Sequence, residues 1–229
     1  MLASIPERGG NGTVNDERSA DTVIVLDFET TGLSPDHGDR AIEIGAVRIE
    51  GGAIVERFQR LMNPGRRINA FIEEYTGITN AMLREAPPVA EAMAEFRDFV
   101  ADADLVAHNA SFDQRFLSAE LTRLQHACDN RFACSMLLSR RLYPDAPNHK
   151  LGTLVAYKAI ENDGTFHRAL ADAELTARLW LVMLDDLQER YRLSSVPFAL
   201  LQQLQRTPKA SVDRAVARWL EQRRIAPGQ

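Results

Sequence analysis

Four carboxylates and one histidine lie in three short segments that are far apart in this chain. The segments are Asp27–Gly32 (DFETTG), Asn109–Asp113 (NASFD) and His167–Asp172 (HRALAD). Carboxylate oxygens are the ligands that hard divalent cations prefer, and a pair of such cations can hydrolyse a phosphodiester. The residue types therefore predict a site that binds two divalent ions and cleaves phosphodiester bonds.

The first segment follows an apolar run. Residues 23–26 (VIVL) are typical of a buried strand, and they lead directly into Asp27. Because side chains alternate across a strand, Asp27 and Glu29 are predicted to project from the same face. Two neighbouring carboxylates repel each other, and a divalent cation between them relieves that repulsion.

The second segment repeats this arrangement with a shorter run. Residues 105–107 (LVA) precede a stretch in which Phe112, Phe116 and Leu121 recur at helical spacing. Asp113 then falls in the first turn of the predicted helix. The helix dipole favours an acid in that position, so Asp113 taken alone is equally consistent with an ordinary first-turn residue.

The third segment begins a long predicted helix from residue 168. Asp172 lies on its apolar side, where a carboxylate without a partner is very costly to bury. His167 stands at or just before the helix start. A histidine in that place has two interpretations, a solvated helix-end residue or a group that swings over the carboxylates.

The three motifs, taken in order, resemble those of the DnaQ-like exonucleases, in the histidine-bearing (DEDDh) branch. The likeness runs from about residue 22 to about residue 184 and includes the linking segments 39–47, 77–79 and 150–154. It implies that Mg²⁺ or Mn²⁺, two ions per site, is held by four acids. These are Asp27, Glu29, Asp113 and Asp172. It also implies that His167 is the general base and that nucleoside 5′-monophosphates leave from the 3′ end.

The same resemblance implies a set of substrate contacts. These residues are Thr30, Leu33, Asn109 and Phe112. For Leu33 and Phe112 the alternative is ordinary core packing. One position departs from the family, because Thr76 stands where many relatives carry histidine before the glycine.

Composition favours a cytoplasmic protein with no membrane span. Of 229 residues, 45% are hydrophobic and 26% charged, and no apolar run approaches the roughly 18 residues of a transmembrane helix. The two cysteines cannot form a disulfide framework. We predict a disordered tail over residues 1–20, an exonuclease domain over 21–190 and a basic helical C-terminal extension over 191–229.

The charge is divided unevenly along the chain. The net charge is −5, yet residues 190–229 contain eight basic and two acidic residues. Three interpretations of this region stay open: a helix folded back on the domain, a docking segment for a partner such as a polymerase or repair protein, or a nucleic-acid arm. A further hypothesis is that its basic residues guide a strand toward the site.

The coarse pattern predicts an α/β, ribonuclease-H-like layered fold with a mixed central sheet flanked by helices. Predicted strands near 22–28, 41–49 and 53–60 form an antiparallel meander, and short strands follow near 104–108 and 131–134. Helices are predicted near 89–101, 111–126, 135–143, 150–159 and 168–189.

Three functions are compatible with these residues. The first is a 3′→5′ exonuclease of the proofreading or repair type that acts on DNA 3′ ends. The second is a 3′→5′ exoribonuclease, because the hydrolysis chemistry does not depend on the sugar. The third is a non-catalytic module that binds nucleic acid or a partner, although every acid of the set is present.

Overall fold

A five-stranded mixed sheet forms the centre of the molecule. The computed structural model describes residues 18–162, 164 and 167–225. The strands are β1 (Val23–Thr30), β2 (Ala41–Glu50), β3 (Ala53–Leu61), β4 (Leu105–Ala107) and β5 (Phe132–Cys134), in the spatial order β3-β2-β1-β4-β5. The first three strands form an antiparallel meander, whereas β4 and β5 run parallel to β1. The predicted α/β fold with a mixed sheet is confirmed.

Helices cover both faces of this sheet. They are α1 (Ala70–Thr76), α2 (Asn80–Glu85), α3 (Val89–Val100), α4 (Ser111–Arg123), α5 (Ser135–Leu142), α6 (Leu151–Tyr157), α7 (Ala169–Tyr191), α8 (Phe198–Leu204) and α9 (Val212–Ile225). Helices α3 to α7 match predicted helices, while α1, α2 and α8 are short helices that the sequence pattern did not indicate. None of the helices in the described ranges is long and apolar enough to cross a bilayer.

The two faces of β1 bury different halves of the core. Val23 and Val25 belong to the cluster that includes Trp180 of α7. Ile24 and Leu26 belong to the opposite cluster, with side chains from α3 and α4. Odd-numbered residues of β1 therefore face α7, and Asp27 and Glu29 continue that face toward the strand end.

The N-terminal boundary lies earlier than predicted. Ala20 is fully buried, and its N–H donates to the carbonyl of Val196 at 2.8 Å. The N–H of Phe198 donates to the carbonyl of Arg18 at 2.8 Å. Residues 18–20 are thus ordered by pairing with the segment before α8, and the predicted tail over 1–20 is wrong for these three positions. Residues 1–17 lie outside the described residues.

Helices α8 and α9 pack on the domain instead of extending from it. Phe198, Leu201, Val212 and Val216 are buried in the same cluster as Trp180. Of the three interpretations of the basic region, the structure supports a segment folded back on the domain. The apolar face of α9 is used for packing, so it is not available as a docking surface.

Helix α8 also covers the outer edge of β5, which is an edge strand of the sheet. Gln202 Nε2 donates to the carbonyl of Phe132 at 3.0 Å, and the N–H of Cys134 donates to Gln205 Oε1 at 2.7 Å. Two side-chain amides thus occupy backbone groups that a further strand would use.

Candidate active site

The site is built at the carboxyl end of β1. Asp27 is half-buried and Glu29 is buried, and both lie on the face that is directed toward α7. In the β1–β2 register, Asp27 pairs with Gly45 and Glu29 pairs with Glu43. The residues opposite the two acids determine how closely α7 approaches them.

Gly45 allows the first turn of α7 to lie against the sheet. A Cβ at this position would overlap backbone atoms of Ala169 and Leu170. Because glycine leaves that space empty, the start of α7 lies directly on β2, opposite Asp27. This close approach is what brings Asp172, in the first turn of α7, to the carboxylates of β1.

Glu43 fixes the same helix end by hydrogen bonds. Its fully buried carboxylate accepts the N–H of Ala169 at 3.1 Å and two bonds from Arg168, at 2.7 and 3.1 Å. Gln59 Nε2 donates a further bond at 2.8 Å. A carboxylate at a helix N-terminus satisfies free N–H groups and interacts favourably with the helix dipole. Glu43 therefore holds the start of α7 against β2.

Three carboxylates converge as a result. Oxygen atoms of Asp27, Glu29 and Asp172 all lie within 4.8 Å of one another. Asp172 Oδ2 also accepts the backbone N–H of His167 at 2.9 Å. Three oxygen donors at this spacing suit a hard divalent cation. The residues present therefore fit the divalent metal that the sequence predicts.

Asp113 approaches this cluster from the opposite layer. It is buried in the first turn of α4, and its Oδ1 accepts the N–H of Phe28, the residue between Asp27 and Glu29, at 3.2 Å. The charge of Asp113 is the main neighbouring charge that acts on Asp27. All four predicted acids are thus brought to one end of the sheet.

The electrostatics of the cluster are those of crowded like charges. Burial, followed by the charges of neighbouring acids, raises the pKa of Asp27 well above its ordinary value. The same causes raise the pKa of Glu29 to about 8, and burial raises that of Asp113 to about 8. Burial also raises the pKa of Asp172, although the N–H of His167 opposes the shift. A cation among these groups would compensate the repulsion.

His167 lies at the solvent side of the cluster. It is exposed, precedes α7 by two residues and has a positive φ of 62°. Its ring lies against the ring of Tyr75, with 4.0 Å between the centroids and 37° between the planes. Its backbone is tied to Asp172, and its side chain is open to an incoming ligand.

The four predicted substrate contacts occupy different environments. Thr30 is buried, and its Oγ1 donates to the carbonyl of Gly32 at 2.6 Å. Leu33 is 79% exposed, which removes the core interpretation for that residue. Asn109 is exposed with φ of 69°. Phe112 is half-buried and packs on Phe116, so its ring contributes to the core.

Thr76 is turned away from the site. It is buried, donates from Oγ1 to the carbonyl of Ile72 at 2.8 Å and accepts the N–H of Ile78 at 3.1 Å. Its hydroxyl therefore ends α1. The adjacent Tyr75 is the side chain that faces His167.

Sequence reasoning missed three residues that support the site: Glu43, Tyr75 and His108. Glu43 had a signal, since it is a charged residue inside the apolar run 41–49. Tyr75 had none, because α1 was not predicted. His108 appeared only as part of a motif. It is half-buried directly after β4, with Nε2 2.9 Å from the His149 carbonyl and Nδ1 2.8 Å from Ser135 Oγ.

Comparison with known proteins gives the family. The RNase_T family model, described as Exonuclease, matches residues 24–180. The DNA polymerase III PolC-type protein of Bacillus subtilis (strain 168) is 43% identical over 172 residues, 74% of this chain but 12% of that protein. The corresponding protein of Caldanaerobacter subterraneus subsp. tengcongensis is 41% identical over 169 residues, again 12% of its length. The chain thus spans about an eighth of these relatives.

Solved structures agree in fold. Exonuclease X in complex with 5′ overhanging duplex DNA has a TM-score of 0.59 and 28% identity, over 71% of this chain and 90% of that one. The nuclease domain of 3′hExo, a DEDDh family member bound to rAMP, has a TM-score of 0.63 over 72% and 92% of the two chains. At 20% identity, the latter shows the fold alone. The chain belongs to the exonuclease family of DnaQ-like proteins, as its three motifs predicted.

Proposed function

We propose that this protein is a metal-dependent 3′→5′ exonuclease of the proofreading or repair type. It hydrolyses the terminal phosphodiester of single-stranded or frayed DNA 3′ ends and releases nucleoside 5′-monophosphates. The observation that carries the proposal is the convergence of Asp27, Glu29 and Asp172 within 4.8 Å, with Asp113 buried beside them.

The acids have the role of metal ligands in this proposal. Asp27, Glu29 and Asp172 would hold the first ion, and Asp113 would support a second. All-oxygen donor sets select hard cations, so Mg²⁺ or Mn²⁺ is the expected cofactor. When bound, two such ions stabilise the attacking and the leaving oxygen of a phosphodiester displacement.

His167 has the role of general base. Its exposed imidazole accepts a proton from the attacking water. The bond from its backbone N–H to Asp172 keeps the residue beside the carboxylates, and Tyr75 supports the ring. Chemistry thus occurs at the open side of the cluster, where a strand end can enter.

DNA is the proposed substrate because of two relatives. The PolC-type relatives are named as DNA polymerase III, and the structure of exonuclease X contains 5′ overhanging duplex DNA. Thr30, Leu33, Asn109 and Phe112 are proposed to contact the terminal nucleotides. A polymerase or repair protein is the proposed partner. A cytoplasmic location stays a prediction from composition.

The test is digestion of single-stranded DNA and RNA of matched sequence, labelled at either end, with Mg²⁺, Mn²⁺ or EDTA. We expect mononucleotides from the 3′ end of DNA in the presence of metal. Asp27→Ala should abolish turnover, and His167→Ala should lower kcat by roughly 10²- to 10⁴-fold with little change in oligonucleotide affinity.

Two matched controls exclude general damage. Glu56→Gln removes an exposed carboxylate from β3, and His126→Ala removes an exposed histidine after α4. Both should retain wild-type rates. Faster RNA digestion would make the enzyme an exoribonuclease. If neither polymer is hydrolysed with either metal, the non-catalytic binding module becomes the better interpretation.

A further inference from the structure

A cavity of about 390 Å³ lies between α2 and the loop that joins β3 to α1. Three of the residues that line it are arginines, namely Arg66 and Arg67 in the loop and Arg84 in the last turn of α2. We call it the arginine cavity. Guanidinium groups that surround one space repel each other, and an anion between them relieves that repulsion.

Arg66 connects the arginine cavity to the candidate active site. Its Nη2 donates to Thr31 Oγ1 at 2.5 Å and to Asp39 Oδ1 at 2.8 Å. Thr31 directly follows Thr30, one of the proposed substrate contacts, and lies two residues after Glu29 of the carboxylate cluster. One arginine side chain therefore separates a ligand in the cavity from the end of β1.

The other two arginines are not engaged by the fold. Arg67 and Arg84 are exposed, and neither guanidinium forms a hydrogen bond or an ion pair with another residue that the structure describes. The carboxylate of Glu73 accepts the N–H and the side-chain amide of Asn80, at 2.6 and 2.8 Å. These bonds are the main cause that lowers the pKa of Glu73, and the charge of Arg67 lowers it further. Both guanidinium groups thus keep their N–H donors for a ligand.

The walls of the arginine cavity are fixed before any ligand binds. Asn80 is buried, and its side chain bonds to both backbone groups of Ile68. Leu83 is buried in the same small cluster as Ile68. The N–H of Gly65 donates to Asn63 Oδ1 at 2.9 Å, which closes the turn before the two loop arginines. Walls that are ordered in advance lower the entropy lost on binding.

The lining indicates that the ligand carries a phosphate group. Guanidinium groups match phosphate oxygens with paired N–H donors, and they are the usual choice where phosphates are bound. Among the described residues that line the cavity, Leu83 has the one apolar side chain, so a base would find little to pack on. The protein has a net charge of −5, and a local group of cations attracts a polyanion that the rest of the surface repels.

We propose that the arginine cavity is a phosphate-binding site beside, and separate from, the carboxylate cluster. The proposal rests on the proposed exonuclease function. Two sources can supply the phosphate: a backbone linkage of the strand upstream of the scissile bond, or the 5′-phosphate of the released nucleotide. In the first case the cavity holds the strand while its end is cleaved, and in the second it retains the product.

Arg67 and Arg84 are the residues to change, because neither guanidinium bonds to the described fold. The double variant Arg67→Gln/Arg84→Gln removes two charges, and Arg67→Lys/Arg84→Lys retains them. The control, Arg97→Gln/Arg178→Gln, removes two charges from α3 and α7, outside the cavity. Binding of a 5′-labelled single strand is measured by fluorescence anisotropy in EDTA at several salt concentrations, so that the readout does not depend on hydrolysis.

If a backbone linkage occupies the cavity, we expect the glutamine variant to bind the strand more weakly, by up to about 5-fold for each arginine, as for an exposed charge pair. The slope of log affinity against log salt should fall by about 0.7 for each lost contact. The lysine variant should keep most of this slope, and the control should keep all of it. A neutral methylphosphonate linkage near the 3′ end should weaken wild-type binding but add little to the loss in the glutamine variant.

If the product phosphate occupies the cavity, strand binding should be the same in the wild type and the glutamine variant. A nucleoside 5′-monophosphate should then bind the wild type more tightly than the glutamine variant, as measured by isothermal titration calorimetry in EDTA. The corresponding nucleoside, which lacks the phosphate, should bind both proteins equally.

Two results would overturn the phosphate site. One is a glutamine variant that matches the wild type in strand affinity, salt slope and mononucleotide affinity, and the other is a control variant that loses as much as the glutamine variant does. Either result leaves the exonuclease proposal intact if the Asp27-dependent release of mononucleotides is observed. Conversely, phosphate binding that depends on Arg67 and Arg84, without hydrolysis, would retain the phosphate site and remove the proposed activity.

Discussion

His108 provides a test of the site at the scale of one residue. Its Nε2 faces a carbonyl oxygen, which can only accept, so in the neutral ring Nε2 carries the proton and Nδ1, 2.8 Å from Ser135 Oγ, is the unprotonated nitrogen. Burial is the main cause that lowers the pKa of His108 to about 4. The folded protein therefore keeps this ring neutral, and through it joins the end of β4 to the His149 segment.

The pH dependence follows from the sign of this shift. In the unfolded chain the pKa of His108 returns to about 6.5, so the unfolded state binds the proton first as the pH falls. The stability contributed by neutral His108 is complete above pH 6.5 and is lost between about pH 6.5 and 4. We expect a loss of up to about 3 kcal/mol over this window.

The measurement compares urea unfolding of the wild type and of His108→Gln at several pH values in EDTA. Titration of the carboxylate cluster acts on both proteins, so the difference between them isolates His108. As the pH falls from 6.5 to 4, the free energy of unfolding should decrease more for the wild type than for His108→Gln. If the difference in unfolding free energy between the two proteins stays constant across this window, the prediction is wrong, because His108 then takes up its proton equally in the folded and unfolded states.

Individual residues were predictable where charge interrupts an apolar run. Asp27, Glu29, Asp113 and Asp172 all follow or interrupt such runs, and the structure brings them together. The orientation of Thr76 was not predictable, because a threonine beside a glycine fits either a ligand contact or a helix end. Its bonds within α1 decide between the two.

At the scale of one element, the position of α7 determines whether the site forms. Glu43 accepts the Ala169 N–H and the Arg168 guanidinium, and this holds Asp172 in place. Glu43→Gln should destabilise the fold by about 1–3 kcal/mol, because a buried charged acceptor is lost. The same variant should lower kcat, since both Asp172 and His167 lie at the freed helix end.

The matched control is Glu56→Gln, which removes the carboxylate of an exposed pair with Arg48 on the same two strands. Exposed pairs contribute about 0–1 kcal/mol, so this change should be small. Denaturant unfolding and steady-state kinetics of both variants provide the measurement. If Glu43→Gln and Glu56→Gln change the unfolding free energy and kcat equally, Glu43 does not position α7.

The long elements were predictable, whereas three of the short helices were not. Helix α7 and strands β1 to β3 show sustained periodicity, so their existence and type followed from the sequence. Helices α1, α2 and α8 have six or seven residues each, too few for a periodic signal. The tight approach of α7 to Gly45 also needed the structure, because it depends on two segments more than 120 residues apart in the chain.

At the scale of the whole molecule, α9 is part of the fold. Its residues Val212, Ala215 and Val216 are buried against the rest of the domain. Deleting residues 207–229 would remove these buried side chains and expose the domain surface that they cover, at a cost of roughly 1.5 kcal/mol or more for each buried valine that is lost. We therefore expect the truncated protein to melt well below the full chain, as measured by circular dichroism. A truncated protein of unchanged melting temperature would contradict this packing.

Because deletion disturbs folding, the hypothesis that basic residues guide a strand needs substitutions instead. Arg206, Lys209 and Arg218 are exposed, and changing all three to Gln leaves the packing of α9 intact. If they contact phosphates, the slope of log affinity against log salt should fall by about 1 for each cation. An unchanged slope would reject the hypothesis and leave the basic surface without a role in substrate binding.

The amides of Gln202 and Gln205 that cover β5 have a consequence for the order of folding. The two glutamines follow β5 by about 70 residues, so a nascent chain can complete the sheet before α8 exists. Until then the outer backbone groups of Phe132 and Cys134 are bare, and bare strand edges pair with other chains. Docking of α8 thus occupies the Phe132 carbonyl and the Cys134 N–H, and removes both as pairing sites for a strand of another chain.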